Sequence, residues 1–188
     1  MVGILTRSHR PAGIRIVGGA AIAFWFGDRR LTNDVDARLT PAEDIRRAAA
    51  VVARKRGWPL LWLNPDASIF FPDYGETVEW TTIHSANDIV VEIASTRALL
   101  AMKLRASRPG RDDDDIARLL ALHRIASVEE AAEVHRSFYP GDELTDRALL
   151  LLEDILSAGA TSSVLSRRSW AAAGRTPWKT PPEHLRCA

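Results

Sequence analysis

The chain has 188 residues, 46% of them hydrophobic, enough to bury a core in one compact domain or in one domain with a small helical extension. Its formal net charge of +1 excludes a globally basic nucleic-acid binder and confines any such surface to a local patch. The single cysteine, Cys187, excludes an internal disulfide framework and a cysteine-based zinc cluster. No run approaches the roughly 20 apolar residues of a membrane span, and Met1 to Leu5 is too short for a signal-peptide core. A soluble cytoplasmic protein with no membrane partner is expected.

Beyond a basic lead with Arg7, Arg10 and Pro11, Ile14 to Val17 reads as a strand stopped by Gly18-Gly19. Ala20 to Phe26 then reads as a helix ended by Gly27, and Arg29 to Asn33 as a polar connection into a strand from Asp34 to Leu39. Thr40-Pro41-Ala42-Glu43 has the form of a helix start, with Thr40 as N-cap and Pro41 at the first position, for a helix running to Arg56 and closed by Gly57. Trp58 to Thr82 lacks helical periodicity and is expected to form loops and short strands. Ile89 to Ile93 is apolar on both faces, as in a strand covered on both sides.

Ser95 or Thr96 can cap a helix from Arg97 to Ser107, which Arg108-Pro109-Gly110 breaks. Another helix opens at Arg111-Asp112 with Ile116, Leu119, Leu120 and His123 on its apolar face, and Ser127 begins a further one ending near Tyr139-Pro140-Gly141. Leu144 to Ala158 supplies the last apolar helix. The order predicts an α/β (α+β) fold: a mixed sheet flanked by helices, with a C-terminal helical region. We divide it into a core at 1–94, a helical region at 95–158, and a basic tail at 159–188, read as a flexible or partner-bound arm carrying Trp170 and Trp178.

Asp34 and Asp36 fall on one strand face, because strand side chains alternate. Two adjacent carboxylates repel unless a cation lies between them, and magnesium prefers hard oxygen ligands. Gly18-Gly19, just before a helix start, suits the close approach of a phosphate. A nucleoside triphosphate (NTP) held through Mg²⁺, with Mn²⁺ as the alternative, satisfies both features. Glu92, a lone carboxylate in an apolar strand, is either a third metal ligand or an edge-exposed residue. Lys103, amid Arg97, Arg105, Arg108 and Arg111, belongs either to a solvated face or to a cationic wall for phosphates. In the run Asp112 to Asp115, helical geometry turns Asp112 and Asp115 toward the packed face, and Asp112 could equally be a cap. The histidines lack metal-ligand spacing, and no Ser/His/Asp or Cys/His arrangement emerges.

These segments resemble the minimal nucleotidyltransferase superfamily, in its branch related to abortive-infection type E toxins. The likeness lies in Gly18-Gly19-Ala20 with Arg30-x-Thr32-x-Asp34-Val35-Asp36, in Leu99 to Ala106 around Lys103, in Arg111-Asp112-x-x-Asp115-Ile116, and in Val128 to Pro140. It implies a nucleotidyltransferase-like sheet in which Asp34 and Asp36 bind Mg²⁺ and Gly18 and Gly19 shape a phosphate turn, with Arg30 and Thr32 beside the nucleotide. Lys103 with Asp112 or Asp115 would complete the site, and either Glu92 or Asp115 would be the third metal ligand. It further implies nucleotide transfer to RNA, the tRNA acceptor end in particular, by a toxin that a cognate antitoxin protein restrains. Ala20 stands where many members carry a hydroxyl. The alternatives are transfer to a small hydroxylated molecule such as an antibiotic, and an inactive module that binds RNA or protein.

Overall fold

Strand β1 (Ala12–Ile16) is the middle of a five-stranded mixed sheet. Its neighbours are β2 (Val35–Thr40), antiparallel, and β5 (Ile89–Ala94), parallel. Outside them lie β3 (Leu63–Asn64), parallel to β2, and β4 (Trp80–Ala86), antiparallel to β5, giving the order β3-β2-β1-β5-β4. The computed structural model describes residues 1–6, 11–27, 32, 34–65 and 69–166, with side chains to residue 158. Arg30 and most of the basic tail lie outside the described residues.

Alternation along the strands sorts the sheet into two unlike faces. Ala12, Ile14, Ala37, Leu39 and Ile89 form one, packed by Leu5 of α1 (Val2–Thr6) and by Ile45, Ala48 and Ala49 of α3 (Ala42–Arg56). The opposite parity holds Arg15, Asp36, Arg38 and Glu92, with Arg15 paired in register to both Arg38 and Glu92. The strand Ile89–Ala94 was expected to be covered on both sides; instead Val90 and Glu92 are only half-buried, because this second face carries charges.

A second apolar cluster gathers α2 (Gly18–Phe26), α4 (Thr96–Ala106), α5 (Asp113–His123), α6 (Val128–Phe138) and the start of α7 (Asp146–Ser166). Ile22, Leu99, Leu100, Leu104, Ile116, Leu119, Phe138 and Leu152 are among its largest fully buried side chains. Burying a side chain of this size stabilises the fold by roughly 1.5–3 kcal/mol. Met1–Leu156 forms one compact unit.

The boundaries follow local chemistry where it was unopposed. Gly27 and Gly57 end α2 and α3 in the left-handed conformation. Ser127 Oγ accepts from the Glu130 amide while the Glu130 carboxylate accepts from the Ala126 amide, which starts α6. Thr40 is a correction: it pairs with Gly13 in the ladder as the last residue of β2, so Pro41 and not Thr40 precedes α3. Ser95 occupies the N-cap position of α4 with no side-chain capping bond. The last helix extends beyond Ala158, to Ser166.

Candidate active site

The carboxyl ends of parallel β1 and β5 meet the amino end of antiparallel β2, and α2 and α4 both start at this edge of the sheet. Ligands of open α/β sheets commonly lie in such a place. Gly18 opens α2 at φ +62, and a Cβ there would stand 3.1 Å from Asp36 Cβ and 3.2 Å from Cγ, with Oδ2 closer still. The Val17 amide donates to the Asp36 carbonyl at 2.9 Å, tying the glycine turn to β2. Glycine at this position therefore answers two demands, the left-handed backbone and the approach of a carboxylate.

Asp34 and Asp36 bracket Val35 at the start of β2. Asp34 Oδ1 accepts from Thr32 Oγ1 at 2.6 Å, so Thr32 orients Asp34 in this structure. Asp36 Oδ1 accepts from Asn64 Nδ2 at 3.2 Å, its cross-strand partner on β3. Burial first, and then the negative charge of Asp34, push the Asp36 carboxyl above its ordinary value; Asn64, Arg108 and Lys103 pull the other way without cancelling them. A carboxylate pair under this strain, beside a cradle with no Cβ, fits a divalent cation with oxygen ligands. Among the described residues no group of three or more side chains could hold a metal. The other positions of a magnesium shell would fall to phosphate oxygens and water, which that ion commonly retains.

Neither candidate third ligand joins the pair. Glu92 Oε2 accepts from Arg15 Nε at 2.9 Å, and Glu92 stands two strands from Asp36, roughly 10 Å by strand spacing. Asp115, 2% exposed, lies 2.8 Å from Lys103 Nζ. In this structure each of these carboxylates has a cationic partner of its own.

Lys103 does not belong to a solvated face: it is 5% exposed and bridges Asp112 Oδ1 at 2.6 Å and Asp115. Asp112 is fully buried and makes no capping bond; its Oδ2 accepts from the Arg108 amide at 3.2 Å and from Arg108 Nε at 2.9 Å, and its Oδ1 from the Arg108 guanidinium at 3.1 Å. Burial raises the Asp112 carboxyl, but Arg108 and Lys103 outweigh it and hold the group below the usual carboxylate range. Two cations and two anions meet here, and Lys103 and Arg108 also line the cleft that Asp36 lines.

Both walls face one cleft of about 250 Å³, with Gly18, Asp36 and Asn64 on one side and Lys103 and Arg108 on the other, and with Ile69 and Phe70 adding an apolar lining. No protein-family model, curated protein or solved structure matches this chain. The reading of the cleft therefore rests on its own chemistry, together with the motif resemblance.

Three lining residues escaped the sequence reading: Asn64, Ile69 and Phe70 lie in the aperiodic stretch, which offered no signal. Arg108 belonged to the set read as either a solvated face or a cationic wall, and its position four residues before Asp112 was a usable signal for the second. Gly19 follows Gly18 within the first turn of α2. Of the basic segment from Arg105 to Arg111, Arg105 pairs with Asp142 at 3.0 Å and Arg108 with Asp112 at 2.9 Å, and the nearby Arg97 pairs with Glu76 at 3.4 Å.

Proposed function

We propose that this chain is a metal-dependent nucleotidyltransferase that moves a nucleoside monophosphate from an NTP to an RNA acceptor, the tRNA acceptor end in particular, as the toxin of a toxin–antitoxin pair. The observation that carries the transferase reading is that Asp36 and Lys103, 67 positions apart in the chain, line one cleft with Gly18. Asp34 and Asp36 would hold Mg²⁺ or Mn²⁺, and the bound ion would supply charge neutralisation and polarisation at the α-phosphate. Lys103 and Arg108 place positive charge against the phosphates, and Asp112 with Asp115 keeps the ammonium of Lys103 in place. In the transfer an acceptor hydroxyl oxygen bonds to the α-phosphorus, its proton leaves, and the bond to pyrophosphate breaks. The toxin role and the cognate antitoxin rest on the motif resemblance.

The test incubates the protein and Mg²⁺ with each α-labelled NTP and total RNA or purified tRNA. Labelled RNA is expected from the wild type and none from Asp36→Ala, with growth arrest on expression following the same pattern. Undiminished transfer by Asp36→Ala would overturn the mechanism. One observation favours a second reading, transfer to a small hydroxylated molecule: Arg105 and Arg108, two of the bases that would grip an RNA backbone, are paired within the protein. Label appearing on an aminoglycoside-type acceptor and not on RNA would select it.

A further inference from the structure

The cleft has two chemically distinct ends, and α4 accounts for both. Leu99, Met102, Lys103 and Ala106 recur at helical spacing along its lining stripe, so the amino-terminal end of the stripe is apolar and the carboxyl-terminal end, continued by Arg108, is cationic. The second apolar surface is Ile69–Phe70, a turn with an exposed isoleucine, 72% accessible.

This turn is held at several points. The Phe70 carbonyl accepts from Tyr139 OH at the end of α6. Beside it Phe71, 4% exposed, stacks on Trp80 with ring centroids 6.0 Å apart and is covered by the Arg38 guanidinium at 4.2 Å. Further along the same segment, the Glu76 amide donates to the Ser137 carbonyl at 2.7 Å, the Ser95 amide donates to the Glu79 carbonyl at 2.9 Å, and Gly75 lies so close to the carbonyls of Ser137 and Phe138 that a Cβ would collide. Phe70 is thus fixed between an anchored carbonyl and a buried neighbour, an arrangement suited to a rigid stacking surface.

We infer that Ile69 and Phe70, facing Leu99 and Met102, form the platform for the nucleobase of the donor nucleotide. The inference rests on the nucleotidyltransferase reading and deepens it. With the triphosphate between Asp36 and Lys103, the base extends toward the apolar end and covers Ile69. Ile69, Phe70, Leu99 and Met102 are all apolar, so the platform recognises ring area: purine nucleotides bind more tightly than pyrimidine nucleotides.

The experiment compares binding of Mg·ATP, Mg·GTP, Mg·CTP and magnesium inorganic triphosphate by calorimetry. The wild type is expected to bind the purine nucleotides about tenfold or more tightly than triphosphate, as stacking of a base on an aromatic ring allows. Phe70→Ala is expected to remove most of that difference while leaving triphosphate affinity unchanged, and Phe70→Tyr to restore it. Phe70→Leu, which keeps the apolar volume, serves if the alanine variant does not fold, and it too should lose most of the difference. Triphosphate bound as tightly as ATP, or a difference that persists in Phe70→Ala and Phe70→Leu, would overturn the platform alone. If neither ATP nor triphosphate binds, the transferase reading and the platform fall together.

Discussion

Asp36 carries a cost that only a ligand relieves. Its carboxyl is pushed up by burial and by Asp34, which means that the folded state holds a proton on it more tightly than the unfolded chain does. At neutral pH the ionised pair therefore opposes folding. In chelator, Asp36→Asn is expected to stabilise the protein, by about 1 kcal/mol or less, while abolishing nucleotide transfer; thermal melts and the labelled-NTP assay check the two halves. Gly18 meets the same carboxylate from the other side. Gly18→Ala introduces both a positive-φ penalty and a contact with Asp36, so a loss of about 1–3 kcal/mol in urea unfolding is expected, with weakened Mg²⁺ binding. The glycine and the carboxylates were legible in the sequence because Gly-Gly stands just before a helix start and two Asp, a type depleted in strands, stand one pleat apart at the start of a strand. That Gly18 and Asp36 touch was not legible, since the contact spans a helix and a loop.

At the scale of elements, the decisive join is α4 to α5. Lys103 leaves α4 and reaches Asp112 and Asp115 across the break at Arg108-Pro109-Gly110, forming a buried network that Arg108 completes. Breaking such a network by removing one partner leaves an uncompensated buried charge. Asp112→Ala leaves Lys103 with Asp115 of the two carboxylates and removes the Arg108 pairing, and is expected to cost about 3 kcal/mol, read from the urea midpoint. Arg108→Ala removes a charge that is 44% exposed and should cost much less stability while weakening triphosphate binding. The helices themselves were readable from periodicity, down to Gly27 and Gly57 at two C-termini. The failure was at a place where a strand ladder competed with a local signal: Thr40 entered the β1–β2 ladder instead of capping α3, whereas Asp112 pairs with Lys103, the partnership that the sequence singled out, and makes no capping bond.

Across the whole molecule, pH acts through groups of opposite sign. Burial lowers the affinity of His135 and His123 for a proton, with Arg105 and Arg136 adding to the effect at His135 and Arg97 at His123. Their neutral forms contribute stability that is present above the ordinary histidine value near 6.5 and is lost as pH falls. Asp112, held below the carboxylate range, contributes stability above its ordinary value, and this is lost only at stronger acid. Asp36 runs the other way and gains a proton favourably in the folded state. The urea midpoint is therefore expected to fall between pH 7 and 5, and His135→Phe should flatten that portion of the curve.

The sequence by itself determined the helices α2 to α7, the fold class, the carboxylate pair and the candidate lysine, because each of these depends on periodicity or on residue chemistry within a few positions. Only the tertiary structure decided how they are used. The sheet order brought β1, β2 and the α4–α5 join to one edge, gave Glu92 to Arg15 and Asp115 to Lys103, and recruited Asn64, Phe70 and Arg108 to the cleft. Those assignments are settled by competition among charges and hydrogen-bonding groups distant in the chain, each of which must be matched when it is buried, and no local pattern records which partner wins.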